Sequence, residues 1–215
     1  CSSDLHRLAI GRRGGALVAC ALGAALGCGT RQITAPAAEP IVVSLATSPS
    51  GFDPRFTTDD ASQKVSQLIF DDLFELDDRL RVVPHLAERL EQPDPLTYVV
   101  TLRPGVHFHD GHELTARDVV ATFASYLDPA SLSPRRGGYR ELKTVEATGP
   151  YTVTFRLSTP LASFPINLVT PILPADAGPS FGEHPVGTGP YRFERYVPDE
   201  RVELSRYDEI GRAHV

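Results

Sequence analysis

Apolar positions recur along this chain with two periods, one typical of strands and one typical of helices. Alternating or continuous short apolar runs predict strands, because successive strand side chains point to opposite faces of a sheet. These runs cover residues 41–46, 96–102, 106–109, 142–147, 151–157, 191–197 and 201–204. The last four predict two hairpins, because Gly149-Pro150 and Pro198-Asp199 supply turn residues between them.

Helical spacing occurs in three further segments. The polar run Thr57 to Asp60 offers N-caps for a helix whose apolar face holds Val65, Leu68, Ile69 and Leu73. A short helix is predicted for residues 84–90. Thr115, with Asp118 three residues later, resembles a capping box that opens a helix ending at Leu127. Because helices and strands mix without regular alternation, the predicted fold class is mixed α/β (α+β) rather than a doubly wound repeat.

Composition narrows the function classes. The 215 residues are 41% hydrophobic and 22% charged, which is enough apolar material for a packed core and unlike a disordered chain. The formal net charge of −6 argues against a nucleic-acid partner, which would need a basic face. No phosphate-binding loop and no nucleophile elbow are present, and the prediction is a protein that is not an enzyme and needs no cofactor.

Both ends of the chain carry an unusual peptide, and methionine is absent. Residues 1–5 and 209–215 resemble the two strands of a common sequencing adapter after translation. We therefore expect residues 6–208 to be the biological part of the sequence, in line with excluding scars before any fold is considered.

The N-terminal region has the pattern of an export signal over residues 6–27. Arg12 and Arg13 precede an uncharged Ala, Leu and Gly stretch that ends in small residues before Cys28. Gly27-Cys28 resembles a bacterial lipobox, which implies lipidation of Cys28 and a membrane anchor; Cys20 is the alternative lipidation site. Residues 28–40 are predicted to be a flexible tether.

Four motifs together resemble the extracytoplasmic solute-binding proteins of the peptide/nickel group (family 5), which serve ABC importers. They are the SPSGFDP stretch at residues 48–54, VVPHLAE at residues 82–88, the run from Tyr98 to Val119, and HPVGTGPY at residues 184–191. The resemblance implies a bilobed fold in which residues 41–70 begin lobe I, residues 71–185 form an inserted domain, and residues 186–208 return to lobe I. The opposing lobe would lie beyond this chain.

The resemblance also implies a function and partners. The protein would capture oligopeptides or dipeptides outside the cytoplasm and deliver them to membrane permease subunits, acting as a lipid-anchored monomer. A nickel chelate, a sugar or another small solute stays open as the ligand, because the discriminating contacts are expected in the missing lobe.

The ligand-facing residues implied by the family are Thr57, Thr58, Asp59 and Asp60 in the loop after the first turn, together with Arg135. Helix capping by Thr58 or Asp59 competes with the first assignment, and a solvated basic loop competes with the second. Residues 187–189 (Gly-Thr-Gly) are interpreted as a turn that shapes the backbone.

Two clusters suggest other chemistry. His107 and His109 would share a strand face with His112 nearby, so a zinc or nickel site is a hypothesis for a metal-binding protein of a different class. The pairs Asp71-Asp72 and Asp77-Asp78 have no nucleophile beside them, and we expect turns or a solvated helix face there.

Overall fold

The computed structural model of the protein describes residues 40–207. The predicted adapter-like ends, the signal segment and lipidation at Cys28 lie outside the described residues. From Val43 onward the described residues form one compact unit. Among them, no helix combines the length and the apolar character needed to cross a membrane.

The structure is a mixed α/β fold, as the pattern predicts. Helix α1 (Asp60–Ile69) is followed by a two-stranded ribbon of β1 (Phe74–Leu76) and β2 (Val82–Pro84). A four-stranded antiparallel sheet then has the order β3-β4-β6-β5. Its strands are β3 (Ala87–Asp94), β4 (Thr97–Leu102), β5 (Leu142–Gly149) and β6 (Thr152–Leu157).

Helix α2 (Ala116–Leu127) packs on this sheet and begins where the capping box predicts. The Asp118 carboxylate accepts a hydrogen bond from the Thr115 backbone N–H at 2.8 Å, which holds the first turn. A 3₁₀ helix, Pro134–Tyr139, occupies part of the polar loop after α2, and a final hairpin joins β7 (Tyr191–Val197) to β8 (Arg201–Arg206).

Three local predictions are wrong. Residues 84–90 form no helix, because Pro84 pairs with Phe74 and Ala87 pairs with Leu102, so sheet pairing overrides the local helix preference. Residues 41–46 form no strand, and Ile41 keeps 85% of its surface exposed. The strand predicted at residues 106–109 is reduced to one bridge between His107 and Glu113.

Two apolar clusters form the interior. The central cluster lies between the four-stranded sheet and α2 and includes Val100, Phe123, Phe155 and Phe164. The flanking cluster is smaller. Its buried members are Phe52, Val65, Ile69, Phe70, Leu173 and Phe181, and β7 and β8 pack against it through half-buried side chains. The division into residues 41–70, 71–185 and 186–208 stays a prediction.

Candidate functional site

The loop before α1 is a tight turn built on Asp53. The Asp53 carbonyl accepts hydrogen bonds from the backbone N–H of Phe56 at 3.1 Å and of Thr57 at 3.2 Å. The Thr57 hydroxyl donates to the same carbonyl at 3.0 Å. The Thr57 hydroxyl therefore uses its one proton for a hydrogen bond inside the turn. Only the acceptor lone pairs of its oxygen are left for a ligand.

Asp59 is the N-cap of α1. Its carboxylate accepts from the Ser62 backbone N–H at 2.8 Å and from the Ser50 hydroxyl. Partial burial raises the pKa of Asp59, but these hydrogen bonds outweigh it and lower the pKa to about 2. The structure thus uses Asp59 for helix capping, which is the competing interpretation that the sequence left open.

Thr58 and Asp60 are exposed on either side of this cap. The Thr58 carbonyl accepts from Gln63 Nε2 at 2.8 Å, so the hydroxyl group is not needed for that contact. Asp60 forms an exposed ion pair with Lys64 at 2.7 Å, one helical turn along α1. Of the four predicted loop residues, these two present side chains most openly to solvent.

Arg135 reaches the same loop from a segment far away in sequence. Its Nε donates to the Pro54 carbonyl at 2.8 Å, and the Ser133 hydroxyl donates to the Arg55 carbonyl at 2.6 Å. The two predicted site segments are therefore in contact. Arg135 supports the turn and is not simply part of a solvated basic loop.

A cleft of about 320 Å³ lies beside α1 and has Arg135 on its wall. We call it the α1 cleft. Its other lining residues are Gln63, Ser66, Gln67, Phe70, Asp71, Asp72, Glu75, His85, Val169 and Pro171. Two amides, one hydroxyl, three carboxylates, one imidazole and one guanidinium thus converge on one concave surface, which is the usual composition of the polar part of a ligand site.

The acidic pair in this cleft is not a solvated helix face, which corrects the sequence expectation. Asp71 is only 4% exposed and lies 3.8 Å from His85 through Oδ1. Burial and the neighbouring Asp71 charge raise the pKa of Asp72 to about 7, although Arg135 opposes the shift. The other pair behaves as predicted, since Asp77 closes a turn onto Arg81.

Sequence reasoning missed most of the cleft. Gln63, Ser66 and Gln67 follow a three- and four-residue spacing, which places them together along the polar side of α1. That spacing is the one feature of the sequence that could have predicted these cleft residues. No sequence pattern marks Asp72 or His85 as cleft residues, because they enter the cleft only through the pairing of residues near β1 and β2.

The three histidines of the metal hypothesis make separate contacts. His107 Nδ1 lies 3.1 Å from the Gly105 carbonyl, and His112 Nδ1 lies 2.7 Å from Asp110 Oδ1. His109 is buried against Gly187 and Gly189. Within residues 40–207, no group of three or more His, Cys, Asp or Glu side chains is arranged to hold a metal ion.

Comparison with known proteins identifies a family that this chain matches. The family model described as bacterial extracellular solute-binding proteins, family 5 (middle), matches residues 81–214. The oligopeptide-binding protein AppA of Bacillus subtilis (strain 168) is 31% identical over 183 residues, which are 79% of this chain and 34% of AppA. The glutathione-binding protein GsiB of Pectobacterium atrosepticum is 32% identical, over 82% of this chain and 36% of GsiB.

Solved structures agree in fold. AppA from Bacillus subtilis, in complex with a nonapeptide, matches with a TM-score of 0.72 and 32% identity over 76% of this chain and 35% of that one. NikZ from Campylobacter jejuni, in complex with Ni(L-His), matches with a TM-score of 0.68 and 27% identity over 75% and 34%. The chain thus spans about a third of the length of these relatives.

Proposed function

Because this chain belongs to the bacterial extracellular solute-binding proteins of family 5, we propose that it is part of the extracytoplasmic binding subunit of an ABC importer. Its ligand is a short peptide, which the subunit hands to membrane permease subunits. The protein has no catalytic role. It works as a monomer held at the membrane by a lipid on Cys28.

The observation that carries the proposal is the junction of the Asp53 turn with the α1 cleft. Arg135 belongs to both, through its bond to Pro54 and its place on the cleft wall. A peptide needs donors for its carbonyls, acceptors for its amides and counter-charges for its ends. Gln63, Gln67, Arg135 and Asp72 supply these groups within one cleft.

The cleft is open on one side, as expected when a second lobe closes over the ligand. Closure of two lobes removes a solute from water and strengthens each polar contact made to it. We infer that the length which the relatives have beyond this chain supplies that lobe. The names of AppA and GsiB favour a peptide, and the similarity to NikZ makes a nickel chelate the competing ligand.

Isothermal titration calorimetry on the protein from the complete gene tests the proposal. The probes are a nonapeptide, glutathione and Ni(L-His), which represent the ligands named for the relatives. We expect saturable binding of a peptide and none of the chelate. If only the chelate binds, the assigned ligand changes from a peptide to a nickel chelate. If none of the three probes binds, the proposal is contradicted.

Thr58→Ala locates the site. Thr58 is exposed and contributes its backbone to the loop, so the change should weaken peptide binding about three- to tenfold without altering the melting temperature. Thr148→Ala is the matched control, because Thr148 is an exposed threonine on β5, away from the loop and the cleft. If both changes weaken peptide binding equally, the loop before α1 is not part of the binding site.

A further inference from the structure

His109 is enclosed between two glycines of the segment that leads to β7. It is 8% exposed, and its Nδ1 accepts from the Gly187 backbone N–H at 3.3 Å. Its Nε2 lies 2.8 Å from the Gly189 carbonyl. A ring that accepts at Nδ1 and faces a carbonyl at Nε2 must carry its single proton on Nε2, so this geometry requires the neutral form of one tautomer.

The opposite side of the glycine segment is closed. A Cβ at Gly187 would lie 2.0 Å from the Ile69 carbonyl oxygen, and one at Gly189 would lie 2.7 Å from the Ile69 carbonyl carbon. The Gly189 N–H also donates to the Ile69 carbonyl at 2.9 Å. The segment is therefore wedged between the end of α1 and His109, and it can only move by leaving the histidine.

Other contacts make this junction a single assembly. The His109 backbone N–H donates to the Gly187 carbonyl at 2.8 Å. The Tyr207 ring packs edge-on against the His109 ring at 4.9 Å, and its hydroxyl donates to the Phe108 carbonyl at 3.2 Å. The loop of residues 107–111, the glycine segment and the end of β8 thus meet at one imidazole.

We propose that His109 is an acid-sensitive latch: one proton taken from solvent onto Nδ1 removes the acceptor for the Gly187 amide and loosens residues 186–190 against residues 107–111. The protonated ring presents a donor at Nδ1 to another donor, so the contact changes from attraction to repulsion. The loosening is local to the Gly187 amide, because the His109 N–H still donates to the Gly187 carbonyl and Nε2 still faces the Gly189 carbonyl.

Burial and the polar and charged groups around the ring shift the pKa of His109, some downward and some upward. Burial is the largest influence and lowers the pKa of His109, and Arg192 acts in the same direction. The Gly189 carbonyl, Asp71 beside the end of α1 and Asp110 on the same loop act in the opposite direction. The ring is therefore neutral near neutral pH, and it accepts a proton only below the range of an ordinary histidine.

The lowered pKa of His109 also makes the stability of the folded protein depend on pH. The histidine of the unfolded chain has the ordinary pKa of 6.5, and that of the folded protein is lower. Between the two values the unfolded state binds more protons, so stability is complete above about pH 6.5 and falls as the pH decreases below it.

Nitrogen NMR of the His109 ring and amide hydrogen exchange in this chain test the latch directly. At about pH 8 we expect the Nε2–H tautomer. On stepwise acidification below about pH 6.5, the protection factor of the Gly187 amide, corrected for intrinsic exchange, should fall in step with protonation of the His109 ring. Amides of β4 and β6 should keep their protection. A Gly187 amide that keeps its protection while the His109 ring becomes protonated would overturn the proposal, as would the other tautomer.

His109→Asn is the decisive variant, because its side-chain oxygen can accept from the Gly187 N–H in place of Nδ1 and does not titrate. The acid-induced loss of Gly187 protection should disappear in it. His112→Asn is the matched control: His112 is an exposed histidine three residues away, and its change should leave the acid response intact. If His109→Asn does not fold, the tautomer and the pH response of the unchanged chain still decide the question.

Discussion

The central and flanking clusters are built from different kinds of sheet. β4 pairs on both sides, with β3 and β6, and its inward side chains Val100 and Leu102 are buried. Among the described residues β7 and β8 pair only with each other, and every residue of both strands keeps some exposure. A two-stranded ribbon is marginal by itself, whereas three or more strands with a covered face can be stable.

The flanking cluster joins segments that lie farther apart in the chain than the strands of the central sheet do. The central sheet consists of two hairpins between near neighbours in sequence, which the pairing of β4 with β6 joins on either side of α2 in the chain. The flanking cluster joins Phe52 and Ile69 to Phe181 and the β7–β8 hairpin, which come much later. The Arg135 contact, the α1 cleft and the His109 latch all lie where distant segments meet.

The largest expected effect tests the junction itself. In Gly187→Ala the new methyl group would collide with the backbone of Ile69, which cannot rotate away, so we expect a loss of more than about 4 kcal/mol in the free energy of unfolding. Gly137→Ala is the control, because its Cβ meets nothing within 4 Å and should change stability by less than about 0.5 kcal/mol. Urea unfolding followed by circular dichroism measures both. A Gly187→Ala variant as stable as the control would contradict the wedge.

A pair of phenylalanine truncations compares the clusters directly. Phe155 is fully buried, with its ring 4.9 Å from that of Phe123, and Phe155→Ala should cost about 3–5 kcal/mol. Phe193 is half-buried against Phe52 at 5.0 Å, and Phe193→Ala should cost about 1–2 kcal/mol. The same unfolding experiment ranks them, and a reversed order would show that the flanking cluster is the more stabilising of the two.

Asp72 gives a pH-dependent effect at the edge of the α1 cleft. Its pKa is raised to about 7 in the folded protein, so the folded state binds more protons than the unfolded state between about pH 4 and 7, and stability falls as the pH rises through that range. Asp72→Asn should remove this slope. The free energy of unfolding of this variant should exceed that of the parent by on the order of 1 kcal/mol at pH 8, after allowance for solvent screening, and by little at pH 4. Melting temperatures across this range measure it, and parallel profiles for variant and parent would exclude the raised pKa.

The smallest effects separate capping from surface charge at the start of α1. Asp59→Ala removes the N-cap and should cost about 1 kcal/mol above pH 4, an effect that fades toward pH 2 as the carboxylate takes up a proton. Asp60→Ala removes only an exposed ion pair and should cost less than about 0.5 kcal/mol. Thermal melts at two salt concentrations distinguish them, because salt screens the ion pair more than the cap. Equal costs would contradict the assignment of the cap to Asp59.

Elements whose signals are local were predictable. The capping box at Thr115 and Asp118, the helix up to Leu127 and the two late hairpins occur where periodicity and turn residues indicate, because each is decided within a few residues. Residues 84–90 show the limit. Their helix preference is weak and the pairing with β1 and β4 is not visible in a short window, so the tertiary contacts decide the conformation.

Patterns in the amino-acid sequence were enough to predict the fold class, the family resemblance and the two loops that carry candidate ligand contacts. The contacts that those loop residues make depend on the tertiary structure. It brought Arg135 onto the Pro54 carbonyl across 81 residues, gave Asp59 to the helix cap, and placed Asp72 beside a buried Asp71. It also turned His109 from a metal candidate into the contact for two glycines. Hydrogen bonding, burial and pKa depend on neighbours in space, and for these residues most neighbours are far away in the chain.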